Sequence, residues 1–320
     1  MALAIVIGCT VLLLLGLLTV IRWGGHPLKG PNPVKGPGPA RASAPIEAAP
    51  SPPLDSASPS SGEVRGARED PSDAKIAALR KYLWWANVAT FAALASALLA
   101  AWPGGRLIMR VLAFTSPDSA QGRLTEAQAN VGFPTLEGSL ALFLFAGLPA
   151  GYLVAILYVV LHRWLPAGRL AGPLLGVLLL IWLGGALLDP LRADNIDFNI
   201  VGPGWLAVAL FTGLSILHGA VAAAAAGWWS ERLPLWADRT AKYYVPLLLG
   251  FVLFPPAALA VGLGALALLT WMTIFPAGSS GPPRTARTPV WVGAGFLVAA
   301  SAAALPAFVS AVISIASRTT

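Results

Sequence analysis

Charge is scarce in this chain. Charged residues are 11% of the total, and Asp and Glu together number 14; soluble domains carry roughly 25% charged residues. No acidic residue falls inside an apolar run long enough to cross a bilayer, which argues against a proton-coupled pump built on a carboxylate relay. The single cysteine, Cys9, excludes an intrachain disulfide and a Cys-based zinc site. The stretch "VIGC" ending at Cys9 has the look of a lipoprotein box, but no basic residue precedes it and the apolar run continues beyond it, so no lipidation is expected there. His26, His162 and His218 are too scattered to suggest a bis-His haem or a His-rich metal site. G-x-S-x-G, H-E-x-x-H and Walker signatures are missing, as is any internal repeat. Despite a net charge of +7, no basic groove interleaved with aromatics is visible, so no nucleic-acid partner is expected.

Apolar sequence fills the space that charge leaves. The hydrophobic share is 57%, and a hydrocarbon core of ~30 Å needs about 20 helical residues to cross it. Seven runs meet that description, at 2–21, 83–102, 138–161, 170–188, 205–228, 245–275 and 290–316. The expected fold is an all-α polytopic transmembrane bundle of about seven spans. Residues 1–22 form an N-terminal transmembrane helix and 23–74 a Pro/Gly/Ser/Ala-rich tether, which cannot bury enough apolar surface to offset its ordering entropy. Residues 75–320 form a six-span body with outer loops at 103–137 and 189–204. The first helix and the tether then read as a flexible appendage. The sixth run contains Pro255-Pro256 and is expected to be one kinked, tilted helix, with a re-entrant hairpin as the alternative. Trp84, Trp85, Trp102, Trp164, Trp205, Trp228, Trp229, Trp271 and Trp291 fall near run ends, as an interfacial aromatic belt would.

Lys and Arg set the expected orientation. One set of connections, including the tether and Arg318, carries fifteen of them; the other, including Arg106, Arg110, Arg123, Arg192, Arg284 and Arg287, carries six. Setting aside the tether except Lys75, Arg80 and Lys81 leaves nine against six. The richer side is read as cytoplasmic. The expected location is a bacterial plasma membrane, with the N-terminus outside and the C-terminus cytoplasmic.

The outward connections hold most of the polar chemistry. In the longer one, Arg106 and Arg110 are four apart among apolar residues, which suits a helix lying on the membrane surface. Thr125 and Gln128 have capping-box spacing, and Glu126, Gln128, Asn130 and Glu137 are the notable polar groups. The shorter connection, "DPLRADNIDFN", concentrates Asp189, Asp194, Asn195, Asp197 and Asn199. Such oxygen density could serve a hard cation, but the central glycine and closing glutamate of a calcium loop are missing. Asx side chains satisfying turn backbone, with Arg192 pairing one aspartate, is the plainer reading. Inside the apolar runs only His218 titrates, and an intramembrane ionisable group is a functional candidate by default. Hydrogen bonding between helices is the commoner role, and Gly213, Ser215 and Gly219 permit close packing there.

The stretches "RVLAFTSPDSAQGRLTEAQANVG", "DPLRADNIDFNIVGPGWLAVALF" and "LSILHG" together resemble an uncharacterised family of multi-pass membrane proteins of actinobacteria and related bacteria. The resemblance covers about 106–229. It implies a polytopic plasma-membrane protein and transfers no activity and no site residue.

Three functional readings follow. The first is a non-enzymatic membrane protein whose ordered outer loops form a partner-binding or scaffold surface, with Glu126, Asp189, Asp194, Asn195 and Asp197 as contacts or loop locks. The second is a small-solute transporter or channel with His218 near the path. The third is a membrane enzyme with an outward carboxylate site at Asp189, Asp194, Asp197 and Glu126. The bilayer is the expected partner, with a second membrane protein as a further one, and no cofactor is expected.

Overall fold

The computed structural model describes residues 2–31, 71–126, 130–184, 191–192, 194–275 and 290–318. Most of the expected tether, from 32 to 70, lies outside the described residues, as do Gln128 and Asp189.

The first helix, α1 (Ala2–Trp23), is the uninterrupted apolar run, and it stops where Gly25 takes φ of 93°. That left-handed conformation is open to glycine and closes the last turn. Pro71 opens α2 (Pro71–Ser96), with Asp73 in its first turn favourable to the helix dipole. The chain then widens into a π-helical turn at Ala97–Ala101 and continues as α3 (Trp102–Thr115), one helix of 44 residues from Ser72 to Thr115. Pro103 has no N–H to give, and the π turn just before it absorbs the missing bond. The same device recurs where α4 (Leu136–Leu142) passes through a π turn at Phe143–Gly147 into α5 (Leu148–Leu161), just ahead of Pro149. The surface helix expected at Arg106 is therefore the continuation of a long helix, and it packs along α1, where Gly16 meets the Leu99 carbonyl.

Around these lie α6 (Ala171–Leu183), α7 (Gly204–Ser230), α8 (Val245–Leu253), α9 (Pro255–Ile274) and α10 (Val290–Ala316). Helix α7 is central and touches α1, α2, α3, α5, α6 and α10. Its stretch 219–227, glycine, alanine and one valine, is buried throughout. Small side chains let backbones approach closely, which is how helices associate where lipid removes the hydrophobic drive. The tightest seam is α6 on α7. A Cβ at Gly172 would sit 2.7 Å from the Ala220 Cα, one at Gly176 would overlap the Ser215 carbonyl, and the Ser215 hydroxyl donates to Gly176 O at 2.9 Å. Gly172 and Gly176 are four apart, the spacing of a small-residue helix contact.

The sixth apolar run reverses direction. Asn87 Nδ2 of α2 donates to Tyr243 O, Gly250 of α8 lies against Thr90, Tyr82 Oη donates to Val261 O of α9, and Lys75 Nζ reaches Thr273 Oγ1. The chain thus climbs along α2 and descends again, the break falling at Phe254 before Pro255-Pro256. The expected single kinked helix is a helical hairpin, because two adjacent prolines start a helix more readily than they sit inside one. Helix α10 rises from Gly293 beside Trp164 to Arg318, whose Nη1 donates to Asn195 O. Ile5 and Arg318 accordingly lie at one face, on either side of the Asn195 turn.

Two further expectations change. Helix α1 is docked on the bundle. Trp23 stacks on Trp228 at 4.1 Å, His26 Nδ1 and Lys29 Nζ meet the Glu231 carboxylate at 2.8 and 3.0 Å, and the Lys29 amide donates to Ser230 Oγ. Several belt tryptophans are packing residues: Trp84 is fully buried with its Nε1 on Leu233 O, and Trp229 stacks on Phe91. Trp205, Trp271 and Trp291 remain exposed, as a belt requires.

Candidate functional site

The face that holds Ile5 and Arg318 is roofed by two loops. After α3 ends at Thr115, a short 3-10 turn at Asp118–Ala120 leads into a narrow antiparallel pair. Gly122 N donates to Val131 O, Val131 N donates to Arg123 O, and Leu124 bridges Asn130. Gly132 follows with φ of 86°, its carbonyl held by Arg110 Nη1 at 2.7 Å. A side chain there would strain the backbone and strike Gln121, whose own amide donates to Ala113 O. Thr135 then caps α4, its hydroxyl accepting from Gly138 N.

The second loop is the acidic one, and it is locked to the first. Asn195 is buried, and its Oδ1 accepts from Asp197 N at 2.8 Å to open a 3-10 turn at Ile196–Asn199. Asp197 Oδ1 accepts from Glu126 N at 2.8 Å. Arg192 pairs with Asp194 at 3.0 Å and lies 3.7 Å from Glu126 Oε1. Thr115 Oγ1 donates to Gly202 O, and Gly202 N donates to Ser116 Oγ. Arg318 ties the end of α10 to the same turn through Asn195 O. The Arg192 guanidinium holds the Asp194 carboxyl below its ordinary value.

Four of the expected site residues, Glu126, Asp194, Asn195 and Asp197, therefore meet in one cap, and their contacts join chain segments far apart in sequence. Asp189 lies outside the described residues, and so does the Gln128 half of the expected capping box. The carboxylates serve different partners: Asp194 faces Arg192, while Asp197 accepts a backbone N–H. Among the described residues no group of His, Cys, Asp and Glu is arranged to hold a metal ion. His218 is not part of the cap. It lies roughly 20 Å along α7 from Gly204 at 1.5 Å per residue, and its Nε2 is buried with no hydrogen-bond partner.

Beneath the cap is a cavity of about 710 Å³ between the first turns of α1, α3, the start of α4 and the loop at 130–135. Arg106 and Arg110 line it beside Cys9, Leu107, Leu142 and Phe145, and Asn195 and Asp197 reach it from the roof. Neither Cys9 nor Arg106 stands out as a site residue from the sequence alone. The signal was present, since an arginine inside a long apolar helix is a functional candidate, but it was hidden while Arg106 was assigned to a surface helix.

Fold and site together define an all-α polytopic membrane protein with a loop-locked cap over a cavity lined by apolar residues, two arginines and two carboxylates. Among the described residues, six helices are long and apolar enough to cross a membrane, and α6 is shorter. No protein-family model, no curated protein and no solved structure matches the chain.

Proposed function

We propose that this is a non-enzymatic membrane protein whose cap is an outward-facing contact surface for a membrane partner. The observation that carries the reading is the network joining Glu126, Arg192, Asp194, Asn195, Asp197 and Arg318. It fixes the loops internally while leaving Leu124, Phe133 and Ile196 exposed on them. Rigid loops with apolar tips have little ordering entropy left to lose on association.

A plasma-membrane location, as the family resemblance implies, agrees with the charge distribution. Both ends joined by 276–289 lie opposite the cap, while Arg318 lies with it. Assigning Arg284, Arg287 and Arg318 accordingly raises the Lys and Arg contrast to sixteen against five. The cap is then outside, with both chain ends.

The test is purification from native membrane in mild detergent. The expected result is a stoichiometric partner held by the wild type and lost from Ile196→Glu at unchanged thermal stability. Recovery of the same partner with Ile196→Glu and Leu124→Glu together would refute the reading. The unpartnered, buried Nε2 of His218 favours a second reading, transport past α7. It requires His218→Ala to abolish solute flux in a folded protein.

A further inference from the structure

We propose that the cavity under the cap binds an anionic amphiphile, a membrane lipid whose phosphate rests on Arg106 and whose acyl chain leaves past Phe145. The inference goes beyond the partner reading and is independent of it, since a partner can be lost with the lipid retained and the reverse.

Arg106 carries the argument. It is half-buried in the wall of the cavity, its Nε is fully buried without a hydrogen bond, and among the described residues it forms no ion pair. The buried Nε–H is a donor left unmet, and the half-buried guanidinium has no paired counter-charge among the described residues, so an anion in the cavity would satisfy both. The other charges on the lining are one arginine and two carboxylates. Arg110 Nη1 is on Gly132 O, Asp197 is on the Glu126 amide, and Glu137 is an exposed residue in the first turn of α4. An arginine suits phosphate in particular, because its fork of donors matches two phosphate oxygens at once.

The remaining walls select a ligand that is more than a head. Val6, Leu107, Leu142 and Phe211 line the cavity and offer no polar group. Phe145 lines it as well and is 81% exposed, so the wall ends on the surface of an apolar helix, where lipid chains lie. A soluble anion would leave that apolar lining uncovered, whereas a lipid meets the charge and the hydrocarbon wall together. The volume of about 710 Å³ is in the range of sites that take drug-sized ligands, which suits a phosphate head with the first part of a chain.

The experiment uses the full chain in phosphatidylcholine nanodiscs with and without phosphatidylglycerol, with bound lipid read by native mass spectrometry. One phosphatidylglycerol should stay with the wild type. Arg106→Gln should weaken that retention about tenfold or more, the worth of a charge-assisted hydrogen bond, while Arg106→Lys keeps part of it. The wild type supplies a second readout because its only thiol, Cys9, lines the same cavity. Alkylation of Cys9 by N-ethylmaleimide should be slowed several-fold by phosphatidylglycerol and not by phosphatidylcholine. Equal retention by Arg106→Gln, or Cys9 alkylation indifferent to the anionic lipid, would overturn the proposal. Protection of Cys9 by inorganic phosphate alone, with no lipid retained, would overturn the amphiphile assignment.

Discussion

Asp197→Ala is the most direct test of the cap. In the wild type, one carboxylate oxygen of Asp197 accepts the Glu126 amide proton at 2.8 Å, joining loops 71 residues apart in sequence. A hydrogen bond to a charged group contributes about 1.5–3 kcal/mol. This one is solvent-exposed, so screening brings the expected value to the lower end, about 1.5 kcal/mol. At 1.4 kcal/mol per factor of ten, local opening should then be about tenfold more frequent. The assay is amide hydrogen exchange by mass spectrometry on a peptide spanning Glu126. Exchange there should speed up about tenfold, while peptides from the centre of α7 stay unchanged, because the cap bonds lie far from Ala222 and Ala225. Asp197→Asn separates charge from geometry: its amide oxygen can still accept, and the loss should be smaller. If the Glu126 peptide exchanges at the wild-type rate in Asp197→Ala, the loops are not held by this bond and the account of the cap is wrong.

Other outcomes can be checked in parallel. Gly176→Leu would force α6 off the Ser215 carbonyl, and overpacking of this kind costs about 1–3 kcal/mol; a lower unfolding temperature in detergent is expected, and an unchanged one would remove the seam as a determinant of the fold. Near the opposite face, the Lys29 ammonium holds the Glu231 carboxyl below its ordinary value of 4.5. The unfolded chain then binds the proton more readily, so this contact stabilises the docking of α1 above about pH 4.5 and the effect is lost as pH falls through the lower folded value. Fluorescence of the Trp23–Trp228 stack should report that loss on acidification, and Glu231→Gln should weaken docking and flatten the profile. In a Cys9→Ser background, Ala2→Cys and Ser317→Cys should both react with an impermeant maleimide added from the same side of sealed vesicles. Reaction from opposite sides would mean that α8 and α9 do not return as a hairpin.

The helical class, the two long loops that form the cap and the clustering of Asp194, Asn195 and Asp197 were legible because each rests on local pattern. Run length marks a spanning helix, and a dense set of Asx residues beside glycine and proline marks a turn. What escaped was whatever depends on direction or on partners remote in sequence. Periodicity treats a long apolar run with two prolines the same whether it kinks or returns, and only the bonds from Tyr82 and Lys75 to α9 decide. Trp84 and Trp229 have the composition of a membrane belt, yet they pack on Leu233 and Phe91. Arg106 was assigned to the surface because a charge usually ends a span, but here the helix continues beyond it to Thr115. Nothing in residues 1–22 alone predicts docking, which depends on Trp228 and Glu231 two hundred positions away.

The alanine-rich middle of α7 reverses the usual mutational map of a protein. In a water-soluble domain the large aliphatic residues are the intolerant ones. Here Leu259, Leu263 and Leu266 of α9 face outward, where another aliphatic side chain would serve as well, while Ala222, Ala225 and Ala226 are completely enclosed. The plainest letters in the sequence are therefore the ones least free to drift. Among natural variants, alanine-to-valine changes at these three positions should be rarer than any exchange among the leucines of α9.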